Sequence, residues 1–175
     1  MTTPDTTAFP SLARRLACLA YESLLLAAIL LLVSALYTPL QASLGASLWL
    51  DQAFRATLAL ALFAYFGKSW VSHGQTVAMK AWRLKLQTAD GETLSWKEAA
   101  IRYVISLILF VVVPVLAYLG ARQGSGHRPL VALASFSWCL LPFLATLVDP
   151  ERLTLQDRLC GTRTVLIPKR SGKTA

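Results

Sequence analysis

Apolar residues in this chain come in four long blocks, and almost every charged residue stands between them. Residues 16–37, 54–71, 103–121 and 129–148 are each nearly free of charge over about the length a helix needs to cross a bilayer. Backbone surrounded by lipid must satisfy its own hydrogen bonds, so the blocks predict helices. The expected fold class is an all-α integral membrane protein, with four transmembrane helices and a small cytoplasmic β-containing segment. Pro39 is expected to end the first span, whereas Pro114 and Pro142 fall inside the third and fourth, where proline is common. A cleaved signal peptide fits the first block poorly, because its uncharged stretch is long and further spans follow.

The polar segments carry their own periodicity. In the longest, residues 72–98, Trp82, Leu84 and Leu86 alternate with Arg83, Lys85 and Gln87, a period of two that predicts a half-buried strand. Ala89, Asp90 and Gly91 read as a turn, and Ser95 with Glu98 forms a capping box for the helix that becomes the third span. After the fourth span, Asp149 as N-cap, Pro150 at the first helical position and Gly161 as terminator predict a short helix. Residues 162–167 then look extended and are a candidate partner for the Trp82 strand, since two open edges on one side of the membrane favour pairing. Residues 1–13 form a polar tail, 14–167 a single transmembrane domain and 168–175 a basic tail.

Charge decides orientation. Lys and Arg concentrate on the N-terminal side, in the loop between spans two and three, and after span four, which puts both termini and that loop in the cytoplasm and requires an even number of spans. The chain has 175 residues, 55% hydrophobic and only 15% charged, against about 25% charged in a soluble domain. Its net charge of +8 sits at span ends and forms no separate basic domain, so the expected partner is the anionic headgroup layer of the bilayer and not nucleic acid. Trp49, Trp70, Trp82 and Trp96 fall where interfacial tryptophans are expected.

Chemistry is sparse. Cys18, Cys139 and Cys160 show no CxxC or Cys/His ligand spacing, and His73 and His127 lie in loops without a carboxylate at useful spacing. With no P-loop, HExxH, GxSxG or GxGxxG motif, neither enzyme activity nor a cofactor is expected. Glu22 stands out as an ionisable residue inside the first span. A carboxyl there is costly unless paired, protonated or wetted. Arg15, seven positions earlier, lies roughly 10 Å away along nearly the same helical face. Two readings stay open: a protonatable or cation-binding group, or a structural partner of Arg15 or of Arg102 at the mouth of span three. Asp157 is expected to take a salt bridge from Arg83, Arg102 or Arg15, or to belong to a cation path.

Three segments together resemble the RDD family of bacterial membrane proteins, named for one arginine and two aspartates. RRLACLAYES matches its first-helix motif, with Arg15 as the arginine and Glu22 at the first aspartate position. QDRLCGT supplies Asp157 as the second aspartate, and GQTVAMKAWRLKLQTADG is similar to the family's segment after the second helix. Glutamate in place of aspartate shifts the carboxylate by about 1–1.5 Å. The resemblance implies a multi-pass protein of the bacterial inner membrane with a role in transport, since some members are linked with sodium/proton antiport.

The expected function is therefore transport-related, as cation/proton exchange. Glu22 exchanges ligands, Arg15 tunes it, and Arg102 and Asp157 complete a charge cluster near the cytoplasmic entrance. A monovalent cation or proton is the expected ligand. Four spans are few for a complete pathway, which implies a homo-oligomer. The alternative is a non-transporting membrane scaffold or assembly factor whose charged residues only fix helix packing.

Overall fold

The computed structural model describes residues 9–45, 47–121 and 128–168. Most of both predicted tails, and the loop from Arg122 to His127, lie outside the described residues. The first helix, α1, runs Leu12–Leu44 and starts where the Ser11 side chain accepts from the Arg14 amide. It continues through Pro39, which was expected to end it, and stops at Gly45, φ 76°. Proline withholds a single N–H from the helical ladder, and the residues after it are helix-compatible, so the turn survives.

Helix α2, Leu48–His73, begins at the Ser47 N-cap and ends at Gly74 in the left-handed region. It folds back antiparallel along α1. The Tyr37 and Phe54 rings meet edge to face at 5.4 Å. The Tyr37 hydroxyl lies 2.7 Å from that of Thr57, and Gln41 Nε2 donates to Asp51 Oδ1 at 3.2 Å.

A short helix, α3, spans Val77–Ala81, with Thr76 as its N-cap and Trp82 closing it. Trp82 therefore belongs to a turn and not to the strand predicted around it; Arg83, φ 55°, redirects the chain. Strand β1, Leu84–Thr88, then pairs antiparallel with β2, Thr162–Leu166, Leu84 opposite Leu166 and Thr88 opposite Thr162. The pairing expected from sequence is present. Gly74 fixes how α2 meets this ribbon: its carbonyl accepts from the Leu86 amide at 2.7 Å. A Cβ at Gly74 would stand 2.4 Å from the Leu86 carbonyl oxygen, and its φ is 65°, so both space and backbone demand glycine.

The Ser95 and Glu98 capping box opens α4, Trp96–Leu107, as predicted. The helix passes through a π turn, Ile108–Val112, into α5, Val113–Ala121. Pro114 explains the irregularity, because it lacks the N–H that a regular helix would direct at the Phe110 carbonyl. The Cys139 thiol donates to that carbonyl instead, at 3.7 Å. The last apolar block is broken: α6, Arg128–Ser137, a 3-10 turn, α7, Leu141–Leu144, and a second 3-10 turn, with Pro142 buried.

Among the described residues, three helical stretches are long and apolar enough to cross a membrane: Leu12–Leu44, Trp96–Ala121 and Pro129–Leu147. Helix α2 is long enough but carries Asp51, Arg55 and Lys68, and is not among them. Large apolar side chains such as Leu24, Leu31 and Leu36 are exposed along α1, which suits a lipid solvent. Tight packing is found at one end. Trp70, Leu86, Leu94, Ala99 and Tyr103 form one buried cluster, and Cys18, Ala78 and Leu84 another, where the start of α1, the end of α2 and the start of α4 meet the ribbon.

The helix expected from Asp149 starts later. Helix α8 is Leu155–Cys160, capped by the Thr154 side chain and terminated, as predicted, by Gly161 at φ 63°. Thr154 wins because its hydroxyl accepts from the Asp157 amide three residues on, at 3.1 Å. Asp149 caps only a local turn, accepting from the Glu151 amide, and pairs with Arg158 at 2.8 Å.

Candidate functional site

Two groups of polar side chains are buried at the packed end. The first is built on Asp157, which α8 carries with no solvent exposure. Arg102 Nη2 donates to its Oδ1 at 2.8 Å, and Arg15 Nη1 lies 3.5 Å from its Oδ2. Thr164 Oγ1 donates to Oδ2 at 3.1 Å, and Thr162 Oγ1 approaches Oδ1 at 3.4 Å. Arg102 Nη1 in turn donates to Thr162 Oγ1.

Local structure aims each partner. The capping box fixes the phase of α4, so that Ala99, Arg102 and Tyr103 fall on its buried face. Thr162 and Thr164, two apart on β2, point to one side of the ribbon. Trp70 of α2 covers the Arg102 guanidinium at 5.6 Å, a cation–π distance. Arg15 extends from the first turn of α1, its Nε donating to the Pro10 carbonyl at 3.4 Å and its Nη2 to the Arg152 carbonyl at 3.0 Å. Arg152 holds φ at 50°, a strained conformation that costs on the order of 1–3 kcal/mol and that supplies this acceptor.

Two guanidiniums share one carboxylate, and all three side chains are almost fully buried. The three charges sum to +1, so losing Asp157 leaves two guanidiniums uncompensated out of water and costs about 3–5 kcal/mol, whereas losing either arginine leaves a neutral pair. The arrangement clasps α1, α4 and α8 together. Gln156 reinforces it by donating to the Ser106 hydroxyl, which donates to the Arg102 carbonyl at 2.6 Å.

The second group surrounds Glu22, two turns into α1 from Arg15 and also buried. The Tyr65 hydroxyl of α2 donates to Oε1 at 2.7 Å, and the Thr76 hydroxyl donates to Oε2 at 2.5 Å. Thr76 Oγ1 also accepts from the Met79 amide at 3.2 Å, so one hydroxyl both caps α3 and holds the carboxylate.

The expected pairing of Glu22 with Arg15 or Arg102 is thus corrected: both arginines are taken by Asp157. Arg83 does not reach Asp157 and is exposed. Arg15, Arg102 and Asp157 come together, and Glu22 stands apart from them. Tyr65 and Thr76 were missed from sequence; the usable signal was a lone hydroxyl-bearing ring in an apolar block and a threonine placed to cap a helix.

Among the described residues no group of three or more His, Cys, Asp or Glu is arranged to hold a metal ion. An open cavity of about 220 Å³ adjoins Asp157, lined also by Arg158, Thr162 and Arg163. His73 is exposed at the end of α2, and His127 lies outside the described residues. Burial pushes the Cys160 thiol above its ordinary value, which keeps it protonated and a poor nucleophile.

The RDD family profile matches residues 9–161, a stretch that takes in Arg15, Glu22, Tyr65, Thr76, Arg102 and Asp157 and stops just short of Thr162 and Thr164. The chain belongs to the RDD family. No curated protein and no solved structure matches it. Of the three residues that the resemblance sets at the family's arginine and aspartate positions, Arg15 and Asp157 are partners in one clasp, while Glu22, among the described residues, is held by two hydroxyls.

Proposed function

We propose that this RDD-family chain is a four-span protein of the bacterial inner membrane that exchanges protons or monovalent cations at Glu22. One observation carries the reading: Glu22 is a buried carboxyl in the first span whose hydrogen-bond partners, among the described residues, are two hydroxyls and no cationic side chain. A carboxyl in lipid without a counter-ion is a functional group by default, because nothing neutralises its charge permanently.

The count of four rests on how α2 follows α1. Contacts between them extend from Glu22 and Tyr65 to Gln41 and Asp51, roughly 28 Å along α1, which is close to the thickness of the hydrocarbon core. Lys80, Arg83, Lys97, Arg152 and Arg158 are exposed at the packed end, which the positive-inside rule assigns to the cytoplasm together with both termini. That face then meets anionic headgroups. The function is non-enzymatic, and a homo-oligomer completes the pathway. In this reading the clasp around Asp157 holds the frame, and Arg15 no longer tunes Glu22.

A membrane scaffold or assembly factor is the second reading, favoured by the same clasp, which commits three charged residues to packing. Purified protein in vesicles, with pH-gradient dissipation followed on adding sodium, potassium or lithium, separates the two. Dissipation by the native chain and its loss in Glu22→Gln is the expected result. Leakage equal to that of empty vesicles, from a folded native chain, overturns the transport reading and favours the scaffold.

A further inference from the structure

We propose that Glu22 takes a proton and not an alkali-metal ion, and that Tyr65 and Thr76 set this preference; the inference rests on the reading of Glu22 as an exchanging group. Each oxygen of the carboxylate already accepts one hydrogen bond, at 2.7 Å from Tyr65 and 2.5 Å from Thr76. A hydroxyl has one proton to give. Both protons are spent on Glu22, so both hydroxyls present hydrogen, not lone pairs, to the place where a cation would sit.

Turning them to coordinate a cation has a structural penalty. Thr76 would have to reorient away from Glu22 while its oxygen serves the Met79 amide at the start of α3. Even then the shell supplies four oxygens, two from Glu22 and one from each hydroxyl. A dehydrated hard cation looks for about six.

Protonation asks for much less. One O–H bond forms on a free lone pair of Oε1 or Oε2, with the proton delivered from hydronium, which leaves as water. Both hydroxyls can stay where they are and continue to donate. The span is left with a neutral acid, and the cost of a charge in lipid is removed.

Other titratable or charged groups near the carboxyl do not take its place. On α1, Cys18 lies one turn earlier, and Arg15 is turned to Asp157. On α2, Lys68 is exposed and Tyr65 is the partner already named; Lys80 of α3 is exposed.

The test is infrared difference spectroscopy of the full chain in lipid nanodiscs, with Glu22→Gln identifying the Glu22 carboxyl band. We expect that band to appear on acidification at the same pH in choline, sodium, lithium and potassium chloride. A midpoint that moves by up to about one pH unit for each tenfold rise in one alkali salt would mean direct competition and would overturn the proposal. Tyr65→Phe and Thr76→Val should each shift the carboxylate stretch of ionised Glu22, and Thr76→Ser should restore it. Native-like stretches in both Tyr65→Phe and Thr76→Val would remove the hydroxyls from the assignment. Should vesicles show no flux while the band still titrates without salt dependence, transport falls and the proton site stands. Flux combined with salt competition has the opposite meaning.

Discussion

Arg15 and Asp157, near opposite ends of the family match, meet at 3.5 Å with side chains 3% and 0% exposed. Their contact closes the packed end of the molecule, because Arg15 begins the first helix and Asp157 belongs to the last.

The pair separates two neighbouring arginines. Arg15→Ala leaves Asp157 with Arg102 and the Thr162 and Thr164 hydroxyls, and strips the Pro10 and Arg152 carbonyls of their Arg15 donor. The remaining Arg102 and Asp157 pair is neutral, so the loss is that of Arg15's hydrogen bonds, and we expect about 1–3 kcal/mol. Arg14 forms no salt bridge among the described residues, so Arg14→Ala should stay within about 0.5 kcal/mol. Thermal unfolding in one detergent gives the comparison. Equal midpoints would remove the clasp as a source of stability.

Two left-handed glycines make a second contrast. Gly161 at φ 63° has open space around it, so Gly161→Ala should cost about 1 kcal/mol for backbone strain alone. Gly74→Ala adds a collision, since the new Cβ would stand 2.4 Å from a backbone oxygen of β1. The ribbon must move or the Gly74 and Leu86 hydrogen bond must break. Denaturation should therefore begin much earlier for Gly74→Ala than for Gly161→Ala, with proteolysis first appearing in the segment around β1.

What the sequence made legible was local, or set by the bilayer. Ser95 and Glu98 announce their helix because both halves of the capping box lie within one turn. Leu84 and Leu86 declare a strand through alternation alone, and Gly161 ends its helix through its own backbone freedom. The partner of Glu22 was illegible for the opposite reason. Helical spacing ranks Arg15 by its place on α1, but Asp157 arrives from a remote segment and claims it. Thr154 likewise displaced Asp149 as a cap, since two good capping residues compete and only packing of α8 against α4 decides between them.

Thr76 offers the sharpest test of how the buried carboxyl is held. As an N-cap alone, threonine is replaceable by serine or aspartate with little loss, because both cap helices at least as well. Facing Glu22 at 2.5 Å changes that expectation. Thr76→Ser keeps the donor and should stay within about 0.5 kcal/mol. Thr76→Val removes both the cap and the donor, and the cap alone is worth about 0.5–2 kcal/mol. Thr76→Asp caps α3 but sets a second carboxylate against the first, so it should be the most damaging of the three at neutral pH. Acid should relieve it, because a proton on either carboxyl removes the repulsion and restores a donor between them. Unfolding measured across pH therefore tells a cap from a carboxylate partner. A Thr76→Asp variant as stable as the native chain at every pH would mean that Thr76 serves α3 only, and that Glu22 is held by Tyr65 alone.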